Sequence, residues 1–174
     1  SALALRRVRL RVWKSAGDSW LTFLMLPGPA FEIKFVIDPP TADEIIEWAR
    51  SRLAPDPHGG GQAGDEYLTR SLYFDTEDFD VFHRRGSFGR SKYRARVYGD
   101  GDMVFLERKI RRADRVSKRR TTVLRTELNR LNGSGPVPGW SGDWFHKRLQ
   151  LRRLEPVCQV AYLRTARVAS TDAG

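Results

Sequence analysis

Arg90, Lys92, Arg94 and Arg96 stand at every second position of the run Arg-Ser-Lys-Tyr-Arg-Ala-Arg-Val-Tyr, residues 90–98. Side chains alternate faces along a β-strand, so these cations share one side with Tyr98, while Ser91, Tyr93, Ala95 and Val97 share the other. A buried cation without a partner is very costly, so such a face borders water or a polar groove. Cations about 6.6 Å apart, two strand residues, suit a ligand with repeated phosphates, because each guanidinium offers paired N–H donors to phosphate oxygens. A solvated edge hairpin guarded by charge is the competing reading. The opposite face is only half apolar, which favours the groove.

Gly99-Asp100-Gly101-Asp102 is a turn signal, and a second strand then puts Met103, Phe105, Glu107 and Lys109 on one side. Glu107 is either a metal ligand or a salt-bridge partner of Lys109 or Arg94, and the spacing leaves both open. A hairpin with one cationic face is the expected centre of the molecule.

The elements that must hold this hairpin are legible as runs. Phe31, Ile33, Phe35 and Ile37 alternate with Glu32 and Lys34, a strand that Asp38-Pro39-Pro40 stops. Thr41-Ala-Asp-Glu44 resembles a capping box, opening a helix with Ile45, Ile46, Trp48, Ala49 and Leu53 on its apolar stripe. Pro55 to Gly64 reads as a surface loop that leaves His58 to solvent. Tyr67–Asp75 is the next strand, and Thr76 to Phe79 caps a short helical segment carrying Phe79, Val81 and Phe82. After a turn at Arg111–Asp114, Lys118–Arg125 resumes a strand. Thr126–Leu131 reads as a short helix, Asp143–Leu151 as a helix burying Trp144, Phe145 and Leu149, and Val157–Val168 as the last strand. Residues 1–30, with Arg6, Arg7, Arg9 and Arg11 alternating with apolar residues, form an N-terminal extension, either a strand or a basic leader. The domain proper is expected over 31–170.

Antiparallel strands in hairpins with helices inserted between them make this an α+β chain. A barrel or strongly curled sheet would gather Glu32, Lys34, the 90–96 row, Glu107, Lys109, Lys118 and Arg120 in one polar interior. Cations there would bind phosphates while acids held a divalent metal.

The chain of 174 residues, 40% hydrophobic and 30% charged, fits one domain that buries about 70% of its unfolded surface. Lys and Arg number 31 against 21 Asp and Glu, a net charge of +10 that favours polyanionic partners. One cysteine, Cys158, excludes an internal disulfide, and three scattered histidines argue against a zinc site. The chain is compatible with a reducing cytoplasm, and no apolar run approaches the ~20 residues of a membrane span. A soluble, cytoplasmic protein without direct membrane insertion is expected.

Five stretches occur in an order that resembles a known family: Glu32-x-Lys34-Phe35, Ser71-Leu-Tyr-Phe-Asp-Thr76, Arg90-x-Lys92-x-Arg94-x-Arg96-x-Tyr98-Gly99, Phe105-x-Glu107-x-Lys109, and Tyr162-x-Arg164-Thr-Ala166. They are similar to the VTC domain, the polyphosphate polymerase module of the vacuolar transporter chaperone complex and its bacterial relatives. That family belongs to the CYTH-like triphosphate tunnel metalloenzymes. The resemblance implies an antiparallel β-barrel, the triphosphate tunnel, with inserted and flanking helices, complete or incomplete. It implies metal-dependent (Mn²⁺ or Mg²⁺) transfer of the ATP γ-phosphate onto inorganic polyphosphate. Carried over residue by residue, phosphate binding falls on Lys34, Arg94, Arg96, Lys109, Lys118 and Arg164. Arg90 and Lys92 are additional positions, and Glu32 and Glu107 are the metal ligands.

Two departures from the family pattern shape that expectation. Ala30 stands where the hydrolase branch has the first acid of Glu-x-Glu-x-Lys, which argues for the polymerase-like branch. The sequence also ends where the family continues into further strands, so a partner chain supplying strands or membrane attachment is expected. The alternatives are a non-catalytic module binding polyphosphate or nucleoside triphosphate, and, less favoured, a nucleic-acid-binding protein using the Arg108–Arg120 charge run. No nucleic-acid motif is present, so no nucleic-acid partner is expected. Among smaller signals, Cys158 reads as a buried small hydrophobe, His83 and His146 as surface or capping residues, Tyr73 and Tyr98 as packing residues, and Asp75 as a turn cap.

Overall fold

Alternating apolar and polar side chains fold nine segments of the described chain into antiparallel sheet. The computed structural model describes residues 6–12, 31–56, 59–60, 64–112 and 115–169; at 6–12, 31–34, 112 and 115 the description is of the backbone. In order these are β1 (Arg6–Val12), β2 (Phe31–Ile37), α1 (Pro39–Arg52), β3 (Ala54–Pro55), β4 (Glu66–Asp75), α2 (Asp80–His83), β5 (Ser91–Tyr98), β6 (Met103–Arg112), β7 (Arg115–Leu124), α3 (Asp143–Leu151), β8 (Glu155–Thr165) and β9 (Arg167–Val168). His58 lies outside the described residues.

The fold is α+β with antiparallel sheets. Five strands pair in the order β7-β6-β5-β4-β8, while β1 with β2 and β3 with β9 form two small sheets. The large sheet is open among the described residues, and the expected closed barrel does not form there. Of the two readings for the N-terminal arginines, the strand holds: Arg6 to Val12 pair with Ile37 to Phe31. The expected final strand breaks at Ala166 into β8 and β9.

The β5–β6 hairpin forms as the turn residues dictate. Gly99 takes a φ of 56°, the left-handed conformation that costs glycine little. Its N–H donates to Leu68 O at 2.7 Å, and Arg70 Nη2 reaches both Gly99 O and Asp100 Oδ1 at 2.7 Å. The turn is thereby fixed to β4.

One face of the large sheet carries the core. Phe74, Tyr93, Ala95, Val104, Leu106 and Val123 pack against Phe145 and Leu149 of α3, with Trp140 and Leu154 closing the edges. Phe145 is fully buried, its ring 5.6 Å from that of Phe74. Each such side chain stabilises the fold by roughly 1.5–3 kcal/mol. Asp143 holds the α3 entry, accepting from Val137 N at 2.8 Å and from Lys147 Nζ at 2.6 Å. Asp75 is the expected turn cap, accepting from Thr76, Val81 and Phe82 backbone N–H groups at 2.8–2.9 Å.

Several local readings are corrected. α1 starts at Pro39, capped by Asp38, whose Oδ1 accepts from Thr41 N at 2.9 Å. Proline has no N–H to leave unsatisfied in a first turn, so Pro39-Pro40 open the helix instead of delaying it to Thr41. Its apolar stripe is thinly covered: Ala42 is its buried residue, and Trp48 is exposed with Arg52 stacked at 5.2 Å. Phe79 and Phe82 are exposed, leaving Val81 as the buried member of their segment. His146 is buried rather than superficial, because α3 turns it toward the 133–139 loop, where Nε2 lies 2.8 Å from Gly133 O. Cys158 is exposed rather than buried, because β8 is an edge strand with both faces open over most of its length.

Candidate functional site

Register brings the charged positions into rows across the face opposite α3. Lys92 on β5 stands opposite Lys109 on β6, and Lys109 opposite Lys118 on β7. One step along, Arg94, Glu107 and Arg120 form the next row on the same strands, continued by Tyr73 on β4. The following row is Arg96 between Phe105 and Ser71. Period-two alternation turns sequence spacing into this grid, and strands about 4.8 Å apart place each charge within reach of its neighbours.

Glu107 is the electrostatic centre. It is 1% exposed, and each carboxylate oxygen is gripped by one guanidinium. Arg94 donates Nε to Oε2 at 2.6 Å, and its Nη2 lies 2.6 Å from the same oxygen as an ion pair. Arg120 donates Nε to Oε1 at 2.6 Å, its Nη2 is ion-paired with that oxygen at 2.5 Å, and Lys118 Nζ lies 3.7 Å from it. Burial raises the carboxyl pKa, but Arg94 and Arg120 outweigh it and hold the group down to about 2. Reciprocally, burial pulls the Arg94 guanidinium down while the Glu107 charge more than restores it. Glu107 forms the salt bridge that was one of its two open readings, with Arg94 as the sequence-expected partner.

The surrounding hydroxyls and rings complete the cluster. Arg94 Nη1 reaches Tyr73 Oη at 3.5 Å, and Arg120 Nη2 donates to Tyr98 Oη at 3.1 Å. Arg120 also stacks on Phe105 at 4.5 Å. Arg96 is 4% exposed, donating Nε to Ser71 Oγ at 2.8 Å and lying 5.7 Å from the Tyr98 ring. Burial pushes the Tyr98 hydroxyl pKa up, yet its hydrogen bond to Arg96 and the Arg96 and Arg120 charges bring it below its ordinary value. Tyr73 and Tyr98 are therefore polar partners of the arginines, beyond the packing role expected of them.

The expected site residues are distributed unevenly. Lys92, Arg94, Arg96, Lys109 and Lys118 share one face of β5, β6 and β7. Arg164 joins that face from β8, opposite Tyr67 and 5.6 Å above its ring. Arg90 precedes β5 and is exposed. Glu32 and Lys34 lie on β2, in the small sheet with β1, opposite Arg11 and Arg9; their side chains fall outside the described residues.

A divalent metal fits Glu107 poorly, since both its oxygens are already paired with guanidinium groups. Among the described residues, no three acids, histidines or cysteines gather as a metal set. Arg120 was expected in the polar interior with Glu107, but was not given a phosphate-binding position or paired with that carboxylate. The register that sets Arg112 opposite Arg115 carries through to Glu107 opposite Arg120, and sequence spacing alone does not fix that register.

Among the described residues no helix is long and apolar enough to cross a membrane. The family model of the VTC domain matches residues 30–174. None of the curated proteins matches the chain. A crystal structure from Bacillus halodurans, provisionally assigned as an adenylate cyclase, is 18% identical and aligns over 74% of this chain with a TM-score of 0.49. The chain spans 61% of that protein's length.

Proposed function

The chain belongs to the VTC domain family, and on that premise we propose that its lysine and arginine rows hold chained phosphates for transfer of the ATP γ-phosphate onto inorganic polyphosphate. The observation that carries this reading is the in-register row Lys92, Lys109 and Lys118 beside Arg94, Glu107 and Arg120. Like charges directly opposite on neighbouring strands repel, so three lysines abreast suit an anion laid across them. Phosphoryl transfer needs little covalent help from a protein, and positioning with charge neutralisation carries most of it. The acceptor is itself a phosphate oxygen, already ionised, so the reaction requires no side-chain base. The cations of β5, β6 and β7 orient donor and acceptor and offset the charge between them.

A second reading, binding of polyphosphate or nucleoside triphosphate without turnover, is favoured by Glu107, whose oxygens are committed to arginines. In either reading further strands, from a partner or from additional sequence, cover the open β8 edge, where Val160, Tyr162 and Leu163 are exposed.

Calorimetric titration of tripolyphosphate and a non-hydrolysable ATP analogue, with and without Mn²⁺, tests the proposal alongside an assay for polymer formed from γ-labelled ATP. Micromolar binding that weakens about tenfold in Lys92→Gln/Lys109→Gln, with labelled polymer formed, is expected for the polymerase. Binding without polymer supports the second reading. Weak binding that fades with salt equally in both proteins would mean a merely basic surface and sink both.

A further inference from the structure

Two of the arginines best placed to grip phosphate are already gripping something. Arg94 and Arg120 each turn the Nε/Nη2 edge of the guanidinium onto one oxygen of Glu107. That edge is one of those that bind phosphate oxygens in parallel pairs. We propose that Glu107 is the resident anion of this face: a specificity-determining residue that occupies Arg94 and Arg120 until a chain of phosphates displaces it. The inference rests on the phosphate-binding reading above and adds the selectivity of that site.

The geometry gives the displacement a route and a direction. Glu107 is tethered to the middle strand of three, so its effective concentration at the two guanidiniums is high and a single phosphate competes badly. A phosphate chain meets the lysine row at the same time. Lys92, Lys109 and Lys118 stand two residues along the strands from Arg94, Glu107 and Arg120, on the same face. Contacts to that row offset the cost of prising the arginines from Glu107. The displaced carboxylate is not stranded, because Lys118 Nζ lies 3.7 Å from Oε1 and can take it over, leaving Lys92 and Lys109 to meet the phosphates. The face therefore selects for several linked phosphates over one.

The test compares orthophosphate and tripolyphosphate binding to wild type and Glu107→Gln by calorimetry. The variant keeps the side-chain shape but loses the charge that competes with ligand. Orthophosphate affinity is expected to rise about tenfold in Glu107→Gln, and the preference for tripolyphosphate over orthophosphate to fall correspondingly. Unchanged or weaker orthophosphate binding by a folded variant, with tripolyphosphate still bound by wild type, overturns the resident-anion inference alone. A wild type that ignores tripolyphosphate takes the phosphate-binding reading down with it. Should Glu107→Gln not fold, the arginine Nε–H resonances of wild type supply the answer. Saturating tripolyphosphate is expected to shift those of Arg94 and Arg120, and equimolar orthophosphate to leave them in place. Resonances indifferent to tripolyphosphate would overturn the inference.

Discussion

Lys92 on β5 and Lys109 on β6 stand directly opposite each other on the face away from the core. Two ammonium groups in this relationship destabilise a sheet by roughly 0.2–1 kcal/mol relative to a neutral pair. Lys92 is exposed, so shortening its charge leaves no cavity. Lys92→Gln is expected to leave the midpoint of thermal unfolding unchanged or slightly raised. Its tripolyphosphate affinity should drop several-fold, and the slope of log affinity against log salt should lose about one unit. A variant that unfolds earlier while binding normally would assign Lys92 a structural role instead.

Glu107 makes the stability of the sheet acid-sensitive. Its carboxyl pKa is about 2 in the folded protein against an ordinary 4.5, so the unfolded chain takes up a proton first as pH falls. The stabilisation is fully present above pH 4.5 and is lost progressively between there and about 2. It amounts to on the order of 3 kcal/mol, at about 1.4 kcal/mol per unit. Urea unfolding at pH 6, 4 and 3 should show wild type losing stability faster than Glu107→Gln. Parallel loss in the two proteins would mean that other carboxylates dominate the acid limb.

The hairpin, its four-residue turn, the β4 strand and α3 were all readable from alternation and turn chemistry, because each obeys a local rule. Ser91, Tyr93, Ala95 and Val97 alternate cleanly against Arg94 and Arg96, so either face could be assigned before any partner strand was known. What sequence spacing could not supply was which strands lie side by side. Arg120 met Glu107 only through the register of the β6–β7 hairpin. Cys158 was read as buried because an apolar run looks the same in a central strand and at an uncovered edge. His146 failed for the opposite reason: a polar residue on a helix reads as exposed until the 133–139 loop folds over it.

Asp65 ties the end of α1 to the start of β4 and to β9. It is fully buried and accepts from Arg50 Nε at 3.1 Å and Arg167 Nε at 3.0 Å, while Arg167 Nη1 also donates to Leu53 O at 2.7 Å. The Arg50 hydrogen bond is foremost in lowering its pKa, followed by Arg167 against the opposing effect of burial. Removing the Asp65 charge weakens its charge-assisted hydrogen bonds to two partly exposed arginines, at a cost of about 2 kcal/mol. Asp65→Asn is expected to lower stability by that amount in urea unfolding. It should also increase amide exchange at the C-terminal turn of α1, with little change in phosphate binding. Loss of binding in a folded Asp65→Asn protein would show that α1 helps shape the cationic face.

Leu106 and Leu163 put the asymmetry of the large sheet to a direct test. Leu106, on β6, is fully buried between Ala95 and Thr121 on the core face, under α3. Leu163, on the edge strand β8, is 64% exposed. Truncating a buried leucine loses its transfer energy and leaves a cavity, so Leu106→Ala should cost about 2–5 kcal/mol. Leu163→Ala removes little that is packed and should cost under about 0.5 kcal/mol in the isolated chain. If Leu163→Ala instead destabilises by more than about 1 kcal/mol, β8 is covered in solution. Repeating the unfolding over a tenfold range of protein concentration then distinguishes the cover. A concentration-dependent midpoint means a second copy seated on β8, whereas a constant midpoint means cover from within the same chain.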